Sequence, residues 1–144
     1  MKSIHRAKPS SSRSGTAATE LAITFPLLML FLLGCVDFAR IGFHGIVLAN
    51  AVGTAAHYAA SHRVTERNES RWNADVEAII QAELESIPQF DENDLSIDVD
   101  VIEEANGDVR VSVWAHYPFQ TVVDWPTIPN VVDVSRTFEF RQFQ

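Results

Sequence analysis

The chain has 144 residues, enough for one modest domain and an anchor, and 47% of them are apolar. Its formal charge of −8 is unevenly spread: residues 1–15 carry Lys2, Arg6, Lys8 and Arg13 and no acid, a local +4, which leaves −12 for residues 16–144. An acidic body of this kind excludes a phosphate-backbone footprint and so argues against nucleic-acid binding, and a single cysteine, Cys35, excludes an internal disulfide.

After the basic start, Thr16–Val36 is twenty-one residues with one ionisable group, Glu20, close to the roughly 20 needed to cross a bilayer. The basic flank predicts that this end stays cytoplasmic and that everything after Val36 lies outside. A cleaved signal peptide has a shorter apolar core and a small-x-small exit, whereas here the pattern continues as helix. Asp37 and Arg40 sit three apart, spaced to pair on one helix face. Ile41, Phe43, Ile46, Val47, Leu48 and Val52 follow, and nothing breaks the pattern before Ser61-His62-Arg63. The expectation is one helix over residues 16–62, kinked at Pro26, with a membrane half at 16–36 and an extracytoplasmic half at 37–62. Gly45, Ala49 and Gly53 recur every four residues, a small face that admits close packing either against the protein's own domain or against another subunit.

Residues 63–144 read as a small extracytoplasmic α+β unit. RVTERNESR (63–71) is polar and reads as a loop; a helix is expected over 73–87, with Val76, Ile79, Ile80, Leu84 and Ile87 at helical spacing and Pro88 as its stop. The acidic run at 91–94 reads as a solvated turn; it lacks the ligand spacing and central glycine of a calcium loop. Ile97, Val99 and Val101 alternate with Asp98 and Asp100, Asn106-Gly107 is a hairpin turn, and Val109, Val111, Val113 and Ala115 alternate on the return. A loop spans 118–130, and a last strand spans 131–141 with Val132, Val134, Phe138 and Phe140 on one face. A three-stranded antiparallel sheet needs a cover, which the two helices can supply.

The stretch SGTAATELAITFPLLMLFLLGCVDFAR, with Gly15 before Thr16-Ala17-Ala18-Thr19-Glu20, resembles the processing site of type IV prepilins, and more closely the N-terminus of TadE-like pseudopilins of the tight-adherence (Tad/Flp) pilus. VSVWAHYPF (111–119) and VDVSRTFEFR (132–141) resemble the later strands of that family. The resemblance implies cleavage of a leader, residues 1–15, after Gly15, a new α-amino group on Thr16, and Glu20 as its partner during helix assembly. It implies a prepilin peptidase, other pseudopilins and an inner-membrane assembly platform as partners. Leu21 stands where major Flp pilins carry an aromatic, and the exported domain is large, which implies a minor pseudopilin or assembly component rather than the fibre subunit. Two alternatives stay open: Glu20 snorkelling to headgroups without a partner, and Leu32-Leu33-Gly34-Cys35 as a lipobox that would anchor a ligand- or surface-binding domain through Cys35. Histidines 44, 57, 62 and 116 are scattered, and His57 and His62 are five apart rather than the four that share a helix face. No phosphate-binding glycine loop or nucleophile elbow occurs in the sequence. The expected role is therefore structural, with no enzyme activity, metal or cofactor; Tyr117 and Trp125 read as core and loop aromatics or as a binding surface.

Overall fold

A computed structural model describes residues 14–105, 107–125 and 129–142. The leader residues Lys2, Arg6, Lys8 and Arg13, the turn residue Asn106, and Pro126 and Ile128 of the late loop lie outside them. Two helices, α1 (Ser14–Ser61) and α2 (Glu69–Leu84), precede a 3-10 turn (Glu92–Asp94) and three strands: β1 (Ser96–Glu103), β2 (Val109–Gln120) and β3 (Val131–Arg141). The fold is α+β, as the sequence leads one to expect. The strands form one antiparallel sheet in the order β1-β2-β3.

α1 is 48 residues, about 72 Å at 1.5 Å per residue, and it runs through Pro26 without leaving the helical state. Its two halves have opposite surroundings. From Leu21 to Leu33 every large apolar side chain is 40% or more exposed. From Leu48 onward the pattern reverses: Leu48, Ala51, Val52, Ala55, Ala56 and Ala59 are buried, at steps of three and four that put them on one stripe. Most of that stripe is alanine, so the backbone of α1 comes close to what covers it. The cover is α2, through Trp72, Val76, Ile80 and Leu84, and the inner face of β2, through Val111, Val113, Ala115 and Phe119.

α2 begins four residues earlier than the sequence pattern suggests and ends three residues sooner. Asn68 explains the start. Its Oδ1 accepts from the Thr65 amide at 2.6 Å and its Nδ2 donates to the Arg63 carbonyl at 3.0 Å, so the 63–68 segment folds into a tight turn that delivers Glu69 straight into helix. Trp72 then reaches back, its Nε1 donating to the His62 carbonyl at 2.8 Å beyond the end of α1. Gln142 donates to the Ala59 and His62 carbonyls at 3.3 and 3.1 Å, so α2 and the tail of β3 together satisfy acceptors that a helix C-terminus leaves open. After Leu84 the chain tightens into turns, Ile87 amide to Leu84 carbonyl at 2.9 Å, which still bury Ile87.

β2 also runs further than expected, through Pro118. A proline in a central strand would break a ladder. Here the β1 pairing stops at Ser96 opposite His116, so no β1 residue faces Pro118, and its only neighbour is Asp133 on β3. The connection from β1 to β2 is closed by the Glu104 amide bonding the Asp108 carbonyl at 2.8 Å, with Gly107 at φ +87°, a left-handed position that glycine fills without strain. On β3 the even-numbered residues face α1, as expected for Val132, Val134, Phe138 and Phe140; Arg136 shares that face and its guanidinium reaches Gly45.

Candidate functional site

The exposed half of α1 begins at Gly15. Gly15, Thr16 and Glu20 all lie exposed on its first turns, and Thr16 and Glu20 are one helical turn apart on the same face. The two threonines that follow are satisfied within the helix: Thr19 donates to the Gly15 carbonyl and Thr24 to the Glu20 carbonyl, each at 2.8 Å. Their hydroxyls therefore add little polarity to the surface, and beyond Glu20 that surface presents no charged side chain for sixteen residues. α1 is the one helix among the described residues that is long and apolar enough to cross a membrane, and it fits membrane anchoring.

The small face behaves differently. Gly45 is buried against Arg136 and Val134, Gly53 lies beneath the ring of Phe138, and Ala49 borders the same α1–β3 seam. All three therefore look onto β3 of their own chain.

At the junction between the exposed and packed halves sits Asp37, only 3% exposed. The sequence spacing suggested a pairing with Arg40, whose charge does favour the ionised carboxyl, but the hydrogen bonds go elsewhere. The carboxylate instead accepts from the Val122 amide at 2.8 Å, the Trp125 indole Nε1 at 2.9 Å and the Val123 amide at 3.4 Å, tying the β2–β3 loop to the helix. Arg40 turns away and stacks its guanidinium over the Phe119 ring, 5.0 Å from the centroid. Burial pushes the Asp37 carboxyl upward, but the three donors and the Arg40 charge outweigh it and hold the group below its ordinary range. Nothing local in the sequence reveals this clamp, because its partners lie 85 to 88 residues away.

His44 is the other buried polar group. Its ring stands edge-on to Phe119, centroids 4.5 Å apart, and its Nδ1 has no hydrogen-bond partner. Burial, with the Arg40 charge, lowers its pKa, so it is held neutral. The remaining histidines are spread out: His57 lies near Phe140, His62 stacks on Tyr58, and His116 contacts Asp133 at 3.1 Å on the outer sheet face. Among the described residues no group of three His, Cys, Asp or Glu is placed to hold a metal ion. Tyr117 is a core aromatic whose hydroxyl accepts from the Asp91 amide, whereas Trp125 is half-buried against α1. Cys35 is exposed in mid-helix, with α1 continuous on both sides.

Residues 15–57 match the family of TadE-like proteins. That span opens at Gly15, takes in the whole exposed segment and the Asp37 junction, and ends within the alanine stripe. The match ties the exposed helix to a Tad pilus-related family of structural and assembly proteins, and it is consistent with a TadE-like protein. Searches of curated proteins and of solved structures returned no match.

Proposed function

We propose that this TadE-like chain is a minor pseudopilin or assembly component of a Tad/Flp-type pilus, with a structural role in adhesion or secretion and no catalysis of its own. The observation that carries the reading is the bare apolar half of α1, opening at Gly15 with Glu20 one turn on, within the span that matches the TadE-like family. In this reading residues 1–15 are a basic leader removed by a prepilin peptidase after Gly15. Residues 16–36 cross the inner membrane with the N-terminus cytoplasmic, and residues 37–62 together with 63–144 form the extracytoplasmic unit. Cleavage gives Thr16 an ammonium group beside the hydrocarbon boundary. A carboxylate at that depth costs several kcal/mol when alone, and an ammonium on the same or a neighbouring helix offsets much of it. Glu20 thus serves to register helices as they assemble with other pseudopilins on the membrane platform.

Glu20→Ala tests the role. The variant should be made and cleaved normally yet fail to support pilus assembly, scored by counting pili on cells. Full piliation in that variant would remove the assembly role from Glu20.

A further inference from the structure

Beside the Asp37 clamp lies an open groove of about 520 Å³, walled by Leu30, Phe31, Gly34 and Phe38 on α1 and by Trp125 on the loop. Its walls are almost wholly apolar, since the one charged residue in the lining, Asp37, is already occupied by three donors. The six-membered ring of Trp125 lies over Gly34, where an added methyl would sit 3.6 Å from it, an ordinary contact, so loop and helix meet closely at this point. Val122 belongs to the same loop: its amide is held by Asp37 while its side chain is 60% exposed.

The height of this groove along α1 decides what covers it. Gly34 is nineteen residues from Gly15, about 28 Å at 1.5 Å per residue, and the hydrocarbon core of a bilayer is about 30 Å thick. A helix that enters the membrane near Gly15 therefore brings Gly34 and Trp125 to the opposite boundary. An indole is suited to that level, with its ring in apolar surroundings and its N–H on a polar partner. Asp124, exposed in the same loop, requires that the loop rest among the headgroups rather than sink among the chains.

We propose that residues 121–125 form a membrane-interface anchor, in which Trp125 and Val122 rest on the outer surface of the bilayer and the groove receives the upper acyl segment of a phospholipid, with Asp37 holding the loop in place. The inference rests on the membrane-spanning reading of α1. It adds a second contact between the domain and the membrane, one that fixes how far the domain tilts from the helix that carries it.

The test uses the full chain reconstituted in phosphatidylcholine–phosphatidylglycerol vesicles that contain phosphatidylcholine brominated either near the glycerol or near the chain ends. Bromine quenches a tryptophan it touches. The Trp125 signal is the difference between the wild type and Trp125→Phe. It should be quenched by the shallow bromines more than by the deep ones, and the quenched component should disappear in Trp125→Phe. Val122→Trp placed in the Trp125→Phe background should restore shallow quenching, which guards against loss of signal through misfolding. Phe25→Trp in the same background, ten residues from Gly15 and so near mid-bilayer, should be quenched most by the deep bromines. Quenching at position 25 with none at 125 or 122 would overturn the anchor and leave the spanning reading intact. No quenching at any of the three would overturn both. Disulfide cross-linking between copies through Cys35, with Trp125 unquenched, would also overturn the anchor, because a second chain would then occupy the groove.

Discussion

Asp37 shows how one side chain can hold two distant parts of a chain. Its carboxylate is shared among two amides and an indole, and deleting it strands three partly buried donors. Asp37→Ala should destabilise the domain by about 1–3 kcal/mol, the cost of leaving such groups unpaired. It should also release Trp125, seen as red-shifted emission; unchanged stability and emission would mean that the clamp does not form. Since the folded carboxyl titrates below its ordinary 3.8, its stabilising effect is full above that pH and is lost as pH falls through the lower folded value. His44 works in the opposite chemical sense but with the same slope. Its lowered pKa means that the unfolded chain binds the proton first, so stability falls as pH drops below 6.5. His44→Phe keeps an aromatic edge against Phe119 and removes the unpaired Nδ1. It should flatten the decline in denaturation midpoint between pH 6.5 and the onset of acid unfolding; an unchanged slope would assign that decline to other groups.

At the scale of elements, α1 carries two surfaces written in two different alphabets. Its first half is made of large apolar residues that the other described residues leave mostly exposed, and its second half is an alanine stripe that its own domain covers. The glycines of the small face can be tested directly. A methyl at Gly53 would meet Phe138 at 3.9 Å, an ordinary contact, and one at Gly45 would meet Val134 at 3.9 Å and, more closely, the movable tip of Arg136 at 3.1 Å. Gly53→Ala should therefore raise stability by about 0.5–1 kcal/mol in chemical denaturation, because helical glycine gives up backbone entropy that alanine does not. A loss of stability would show that the α1–β3 seam is tighter than this geometry. The long helix, the three strands and the shared face of Val132, Val134, Phe138 and Phe140 on β3 were legible in the sequence, because each has a period of its own. The start of α2 was not, because Asn68 sets it through bonds to Thr65 and Arg63 in a segment whose polarity reads as loop. The extension of β2 through Pro118 was hidden too, since it depends on where β1 stops. At the candidate site, the apolar span and its isolated Glu20 stood out from composition alone. The Asp37–Trp125 clamp joins residues with no shared pattern, and the nearer Arg40 contributes its charge while the hydrogen bonds come from the loop.

At the scale of the whole molecule, the structure is a compact α+β unit built on one end of a helix whose other end is bare. Over about 30 Å of that helix the large apolar side chains stay mostly exposed among the described residues. A bilayer, and then neighbouring helices, would cover it, and the TadE-like match falls on that segment. The acidic character of the chain after Gly15, against the basic leader before it, places the two charge blocks on opposite sides of the apolar span. In the proposed function this helix enters the membrane as a prepilin and loses its leader. The most direct measurement is the intact mass and N-terminal sequence of the protein isolated from native membranes. Prepilin processing would give a chain that begins at Thr16, whose new ammonium would be available to Glu20. A chain that still begins at Met1, or a lipid-modified one that begins at Cys35, would contradict it.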